Sequence, residues 1–228
     1  INTDPVLSSA SVSPTTAQVG NTLICSATAT DADGGTPTIT YAWSTGATGA
    51  VTTVTSSDDP GDTITCTVTA TDTDGGIDST SASATVVNTA PTFTTVTVTP
   101  PIAKVGDTLT CDATATDADG GTPTITYTWS TGGTGTTYTV TSSDEPGDTI
   151  TCTVTSTDAD GGTATDSASS EVEGTEPIIT DISVSPPTAQ VGDTLTCTAT
   201  ATDPDGGTPT IAYTWSNGDS GTTTTISA

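Results

Sequence analysis

Apolar and polar residues alternate along much of the chain, and the polar partner is usually threonine. In the middle of the chain, threonine or aspartate residues separate four apolar positions, Leu109, Cys111, Ala113 and Ala115. A period of two is typical of a β-strand with one buried and one exposed face. Threonine suits the exposed face, because its β-branched carbon favours the strand while its hydroxyl stays hydrated.

Similar alternation predicts further strands on both sides of this one. Their apolar rows are Val96 and Val98; Ile125, Tyr127 and Trp129; Tyr138 and Val140; and Ile150, Cys152 and Val154. Residues that favour turns separate the rows, at 105–107, 117–121, 144–148 and 158–162. No helical period of useful length interrupts them, so the pattern predicts an all-β fold.

The pattern recurs every 86 residues. Residues 25–46 and 111–132 differ at two of 22 positions, and residues 197–218 differ from the second copy at four. We therefore predict repeats at 1–86, 87–172 and 173–228, the last about 30 residues short of a full period. We expect either that the chain is a piece of a longer array or that a neighbouring subunit completes its third unit.

Each full repeat carries a cysteine, a tryptophan 18 residues later and a second cysteine 23 residues after the tryptophan. A first cysteine on the second strand, a tryptophan on the third and a second cysteine on the sixth form the immunoglobulin-type arrangement. In that arrangement the tryptophan packs on the disulfide bridge between the two sheets. The chain resembles the tandem immunoglobulin-like repeats of large bacterial and archaeal surface proteins, with some similarity to PKD-type and cadherin-like modules. The segments that carry the resemblance are Gly-Asp-Thr-Leu-Thr-Cys (106–111), Thr-Asp-Ala-Asp-Gly-Gly (116–121), Tyr-Thr-Trp (127–129) and Gly-Asp-Thr-Ile-Thr-Cys (147–152). Ile64 and Ile150 stand where antibody domains have the tyrosine of the tyrosine corner, which favours the simpler microbial modules.

The resemblance implies a tandem array of immunoglobulin-like β-sandwiches with two disulfides, Cys25–Cys66 and Cys111–Cys152. Each bridge would close a loop of 41 residues, worth about 4 kcal/mol in the chain-entropy model. Paired cysteines imply an oxidising, extracellular or cell-surface location. Cys197 is left over: its partner lies outside this chain, it pairs with another molecule, or it is a free thiol. Zinc is not expected, since the chain has neither histidine nor a C-x-x-C motif.

Aspartate pairs follow the second and sixth strands in the motif Asp-x-Asp-Gly-Gly. Since the loops after these strands lie at one end of an immunoglobulin-like sandwich, the resemblance implies that their carboxylates converge. The candidate metal ligands are Asp31, Asp33, Asp72, Asp74 and Asp78 in the first repeat; Asp117, Asp119, Asp158 and Asp160 in the second; and Asp203 and Asp205 in the third.

Convergent carboxylates repel one another. A bound Ca2+, which takes about six to eight oxygen ligands, would neutralise them and remove this repulsion. We predict calcium at the paired loops, or at the junction with the preceding repeat, where Asn88 or Glu176 lies in the linker. The alternative interpretation is that aspartate and glycine only form turns and that the charge maintains solubility.

Charge and composition narrow the classes of partner. With 27 acidic residues, one lysine, no arginine and no histidine, the chain has a net charge of −26. It lacks the basic surface that nucleic acid and anionic membranes need, and no apolar run approaches the roughly 18 residues of a membrane span. The chain has no histidine and a single lysine, which are the usual residues of general-base and Schiff-base catalysis. We therefore expect that the chain is not an enzyme. The 64 threonines and 23 serines permit O-linked glycosylation.

Together these features predict a structural protein that forms an extracellular fibre, filament or surface stalk. Its partners would be neighbouring copies or further repeats of itself. The alternative is a cell-surface adhesin module that binds a carbohydrate or protein through loops at the sandwich ends. Such a module should carry one repeat with distinctive loops, whereas these loops are nearly identical. An accessory domain of an enzyme would require a catalytic domain outside this segment.

Overall fold

The computed structural model describes residues 2–228, and every regular element in this range is a β-strand. The described range therefore contains no helix that is long and apolar enough to cross a membrane. Contacts between Cα atoms divide the chain into two compact units. One consists of residues through Thr95 with 113–126 and 155–166, and the other of residues 96–112, 127–154 and 167–228. Repeat boundaries at 86 and 172 stay a prediction.

The first set of strands forms two sheets. The strands are β1 (Val6–Ser13), β2 (Thr16–Ala17), β3 (Thr22–Thr30), β4 (Thr38–Trp43), β5 (Val51–Thr53), β6 (Thr63–Thr71) and β7 (Ile77–Val86). One sheet has the order β1-β3-β5 and the other β2-β7-β6-β4. Neighbouring strands are antiparallel except β2 and β7. This is the strand arrangement of an immunoglobulin-like β-sandwich, which confirms the predicted fold class.

The second set repeats the arrangement. Its strands are β8 (Thr92–Thr99), β9 (Ile102–Ala103), β10 (Thr108–Thr116), β11 (Thr124–Trp129), β12 (Thr137–Thr139), β13 (Thr149–Thr157) and β14 (Thr163–Val172). The sheets have the orders β12-β10-β8 and β11-β13-β14-β9. The alternating pattern predicted five of these strands but not β9, which has two residues, or β14. The buried positions of β14 are mostly small or polar residues, so no apolar row marks it.

The third set is a single sheet in the order β15-β16-β17. Its strands are β15 (Ile178–Ser185), β16 (Thr194–Thr202) and β17 (Thr223–Thr225). Residues 210–215 have almost the sequence of β11 but form no strand, only a bridge between Thr214 and Ser220. The reason is visible in the first set, where β4 has one ladder partner, β6. No counterpart of β6 lies within residues 173–228, so this segment has nothing to pair with.

Two disulfides join the sheets, as the resemblance implied: Cys25–Cys66 and Cys111–Cys152. Trp43 lies opposite Cys66 in the β4–β6 ladder and is 4% exposed, as is Trp129. Cys197 is a buried free thiol. Each core thus consists of one tryptophan, one bridge and a small set of aliphatic side chains, which is little apolar volume for a unit of this length.

Two serines in the second set are buried without a hydrogen-bond partner for their hydroxyls. Ser156 on β13 is 0% exposed and Ser170 on β14 is 2% exposed. The corresponding residues of β6 and β7 are Ala70 and Ala84, so alanine fits both positions. An unpaired buried hydroxyl costs free energy that a methyl group does not.

We therefore expect Ser156→Ala to raise the free energy of unfolding by about 1 kcal/mol, from the desolvation cost that it removes. Urea unfolding followed by circular dichroism measures the change. Ser169→Ala is the matched control, because Ser169 is an exposed residue of β14. An equal effect of the two substitutions would show that strand propensity, and not the buried hydroxyl, is responsible.

Candidate functional site

The first acidic loop of each repeat is closed by its own leading aspartate. Oδ1 of this residue accepts the backbone N–H of the second aspartate at 2.9–3.0 Å, in the pairs Asp31–Asp33, Asp117–Asp119 and Asp203–Asp205. Two glycines with positive φ follow, for example Gly34 and Gly35. Side chains with a Cβ disfavour that conformation, so the Gly-Gly pair is needed for the turn. The leading aspartates thus act as turn residues, and the second carboxylates stay available.

The second aspartate of this loop binds the segment that enters the repeat. Its Oδ2 accepts the backbone N–H of a threonine at 2.5 Å in all three repeats, in the pairs Thr3–Asp33, Thr89–Asp119 and Thr175–Asp205. We call residues 2–4, 88–90 and 174–176 the linkers. Hydrogen bonds to an ionised carboxylate are among the strong ones, so each linker is fixed to its acidic loop.

The second acidic loop reaches the same linkers. In the second repeat, Oδ1 of Asp158 accepts the N–H groups of Asp160 and Gly162, and Oδ2 accepts the side-chain N–H of Asn88 at 3.0 Å. Asp72 makes the same bonds in the first repeat, with Asn2 at 3.2 Å. A Cβ at Gly162 would displace the side-chain ends of Asp158 and Asn88, so glycine leaves room for the hydrogen bond between them. The loops after β3 and β6, and after β10 and β13, therefore meet at one linker each.

Asn88 also contacts the preceding set of strands. Its backbone carbonyl accepts the side-chain N–H of Gln18 at 2.9 Å, while its own amide group donates to Asp158. One residue is thereby held between the end of the first repeat and the acidic loops of the second. The third linker differs, because Gly174 replaces the asparagine.

Several oxygen atoms around these linkers are buried and have no hydrogen-bond partner. In the second linker site they are Oδ1 of Asn88, Oγ1 of Thr89 and Oδ1 of Asp119. In the third they are Oγ1 of Thr175 and Oδ1 of Asp205. Apart from the two core serines, these are the unpartnered buried side-chain oxygens of the described residues. Buried polar atoms are normally paired, so this concentration at two equivalent positions needs a physical cause.

Three carboxylates beside the linkers, those of Asp33, Asp72 and Asp158, have a lowered pKa. Hydrogen bonds from the hydroxyl and backbone of Thr3 lower the pKa of Asp33. Burial opposes ionisation of Asp72 and Asp158, but hydrogen bonds from the glycine N–H groups and from Asn2 or Asn88 outweigh it and lower the pKa of both. Since these pKa values lie below the unfolded value of about 4, the stability they contribute is present above that pH. It is lost as the pH falls through the lowered values.

The remaining predicted ligands have different surroundings. The side chains of Asp74 and Asp160 are exposed at the loop tips. Oδ2 of Asp78 accepts the N–H of Leu7 at 2.8 Å and so ties β7 to β1. Among residues 2–228, no group of three or more histidine, cysteine or acidic side chains is placed to hold a metal ion. Carboxylates alone therefore do not make a site, and any site must use linker oxygens as well.

The acidic residues near the other end of each sandwich close their own turns. Asp58 accepts the N–H of Thr55 at 2.8 Å, and Asp62 accepts that of Asp59 at 3.1 Å. Asp144 is 7% exposed and accepts the hydroxyl of Tyr138 at 2.8 Å. The turn interpretation accounts for these residues without a cation.

The linker contacts include residues that the sequence pattern did not indicate. Thr3, Thr89, Thr175, Asn2 and Gln18 were not predicted to take part. One signal was present: Asn-Thr recurs at 2–3 and 88–89, before the first strand of each full repeat. A repeated polar dipeptide in a linker is a conserved position within the array, and it could have been paired with the repeated Asp-x-Asp loops.

No protein-family model matches the chain, and no curated protein does. Among solved structures, immunoglobulin domains 1–4 of Sidekick-1 are 16% identical, with 74% of this chain and 48% of that chain covered and a TM-score of 0.36. A Ca2+-stabilised adhesin that helps an Antarctic bacterium bind ice is 25% identical, with 89% and 58% covered and a TM-score of 0.35. The insect immune protein hemolin is 15% identical, with 74% and 46% covered and a TM-score of 0.41.

The chain spans about half the length of these three structures. Because each TM-score is below 0.5, the likeness carries no argument about activity, ligands or partners. The assignment to the immunoglobulin-like class rests on the strand order, the two disulfides and the buried tryptophans described above.

Proposed function

We propose that the chain is a structural segment of a microbial extracellular surface protein, in which Ca2+ fixes the linkers between immunoglobulin-like sandwiches. The observation that carries the proposal is the set of buried, unpartnered oxygens around Asn88, Thr89 and Asp119, with its counterpart at Thr175 and Asp205. Leaving these atoms unpaired costs free energy, whereas a bound cation would satisfy them.

The chemistry of these donors fits calcium. Amide, hydroxyl and carboxylate oxygens are ligands of hard cations, and Ca2+ accepts irregular sets of them, whereas Mg2+ demands near-octahedral geometry. The chain supplies an amide oxygen from Asn88, a hydroxyl from Thr89 and a carboxylate oxygen from Asp119. A net charge of −26 adds a long-range attraction for cations. When bound, Ca2+ would neutralise the carboxylates, and the chain's own hydrogen bonds would position the linker.

A mechanical role follows from repetition. The same threonine–aspartate bond recurs at all three linkers, and each of the two complete sandwiches has its own disulfide. A hydrogen bond that recurs at every linker would stiffen the array as a whole, because repeats contact chiefly their neighbours. Further repeats or neighbouring copies are thus the proposed partners, and the disulfides favour an extracellular location. The threonine-rich outer faces leave room for O-linked glycans.

Protection of the linker from proteolysis tests this proposal. With Ca2+ at about 100 times its dissociation constant, the bound state gains about 2.7 kcal/mol, so cleavage within residues 88–91 should slow by about 100-fold. A protease of broad specificity is required, because the chain has a single lysine and no arginine. Mass spectrometry of the fragments locates the cuts, with samples in excess Ca2+ and in chelator matched for ionic strength.

Two variants make the test specific to the site. Asp119→Asn should abolish the protection by Ca2+, because it replaces the unpartnered carboxylate with a neutral amide and so removes a charged ligand of the cation. Asp112→Asn makes the same charge change at an exposed position of β10 and should keep the protection. Equal cleavage rates in Ca2+ and chelator, or equal loss in both variants, would contradict the proposal.

A further inference from the structure

The side chain of Gln18 extends the pairing of two strands beyond their ends. β2 and β7 are parallel, and Ala17 is paired with Val86 in their ladder. One residue later, the backbone N–H of Val87 donates to the carbonyl of Ala17 at 2.9 Å. The next residue, Asn88, is bound by a side chain instead, because Nε2 of Gln18 donates to its carbonyl at 2.9 Å. The ladder of the first sandwich therefore continues into the second linker.

Asn88 is also held by the second repeat. Its Nδ2 donates to Asp158 at 3.0 Å, and the N–H of Thr89, the next residue, donates to Asp119 at 2.5 Å. Because Nδ2 faces Asp158, Oδ1 of Asn88 lies on the other side of the amide group, where it is buried without a partner. Oγ1 of Thr89 is buried without a partner as well. These oxygens thus belong to a segment that hydrogen bonds fix from both repeats.

The linker that follows the second repeat is tethered differently. Lys104 has the place of Gln18 there, and its ammonium lies 3.8 Å from the carboxylate of Glu173 in an exposed pair. The linker itself begins with Gly174, which has no side chain and so offers no amide oxygen. The glutamine and the asparagine are therefore replaced together, as expected if one residue positions the other.

We propose that Gln18 is a positioning residue for the Ca2+ site of the second linker, which couples cation binding in the second repeat to the β2–β7 edge of the first. The inference rests on the proposed function, because it concerns the same cation. Gln18 does not touch the ion. Its amide fixes the peptide group that joins Asn88 to Thr89, the two residues that supply the amide and hydroxyl oxygens. Ligands that are held in place before binding lose less conformational freedom when the cation arrives.

Three substitutions of Gln18 separate this hydrogen bond from the effect of charge. Gln18→Met keeps the length of the side chain and removes the donor, and Gln18→Glu removes the donor while adding a negative charge. Gln18→Lys keeps a donor, and Lys104 shows that the fold accommodates lysine at this position. If the hydrogen bond positions the site, the lysine variant binds Ca2+ more tightly than the glutamate variant. Electrostatic attraction alone predicts the reverse order.

The measurement is the Ca2+ concentration that half-protects residues 88–91 from a protease of broad specificity. Gln18→Met should raise it about fivefold, which corresponds to the loss of one ordinary hydrogen bond. Cleavage within residues 174–177 of the same sample is the control and should keep its half-protection, because Lys104 is intact there. Since coupling is reciprocal, Ca2+ should also slow hydrogen exchange of the Val87 N–H by up to about fivefold in the unaltered chain, but not in Gln18→Met.

The outcomes distinguish this inference from the proposed function. Equal half-protection of residues 88–91 in the unaltered chain and in Gln18→Met would overturn the inference alone. Tighter binding by Gln18→Glu than by Gln18→Lys, or an equal shift at residues 174–177, would do the same. If Ca2+ fails to protect residues 88–91 of the unaltered chain, the proposed function and the inference are both contradicted.

Discussion

Replacing Cys111 and Cys152 by alanine is expected to lower the free energy of unfolding of the second sandwich by about 4 kcal/mol. The bridge closes a loop of 41 residues, so its removal returns a large conformational entropy to the unfolded chain. The core of this sandwich is thin, because its buried aliphatic side chains larger than alanine are only Val98, Leu109, Val140, Ile150, Val154 and Val172. A loss of this size is a substantial part of the stability of a domain of this length.

Hydrogen exchange measured by mass spectrometry separates this effect from the rest of the chain. Peptides from β10 and β13 should lose protection in the double variant. Peptides from β3 and β6 provide the control in the same sample, because the Cys25–Cys66 bridge is intact there. Unchanged protection in β10 and β13 would show that the sandwich does not depend on its bridge.

The second large effect is expected from Trp129→Ala, which should cost about 3–5 kcal/mol. The indole of Trp129 is 4% exposed, its ring centroid lies 5.8 Å from that of Tyr138, and its N–H donates to the carbonyl of Gly135 at 2.9 Å. Truncation would remove all of these contacts and leave a cavity beside the disulfide. Leu109 and its neighbours are strand residues and can collapse only partly into that space.

Trp215→Ala is the matched control for this substitution. Trp215 has the same place in its repeat and the same hydrogen bond, to Gly221 at 2.9 Å, but its ring is only half-buried. It should therefore cost clearly less than Trp129→Ala in denaturant unfolding. Equal losses from the two variants would mean that burial against the second sheet is not the source of the stability.

Much of the fold was predictable because threonine marks one face of each strand so regularly. The row from Leu109 to Ala115 defines β10, and the resemblance to immunoglobulin-like repeats implied both disulfides, which the structure confirms. Of the strands that the pattern missed, β9 has only two residues, and β14 has small residues such as Ala168 and Ser170 at its inward positions before a single valine, Val172. Residues 210–215 show the opposite case, in which the alternating pattern is present but no strand forms. Their sequence favours a strand, but a strand also needs a partner for its backbone groups.

The candidate site was only partly predictable. Repetition of Asp-x-Asp-Gly-Gly drew attention to the acidic loops, and the structure brings Asp119 and Asp158 to one linker. The roles within each loop depend on hydrogen bonds that spacing does not encode. Asp117 closes a turn, Asp119 binds the linker backbone, and Asp78 ties two strands together. Linker donors such as Thr89 are far in sequence from the carboxylates that they contact, so only the folded chain pairs them.

Calorimetric titration of the chelator-stripped chain with Ca2+ tests the central claim most directly. The account predicts saturable binding that persists in moderate NaCl, because coordination by Asn88, Thr89 and Asp119 does not depend on screened surface charge alone. Asp119→Asn should lower the stoichiometry, and Asp112→Asn should leave it unchanged. An absence of saturable binding, or binding that NaCl abolishes and that both variants weaken equally, would contradict the account.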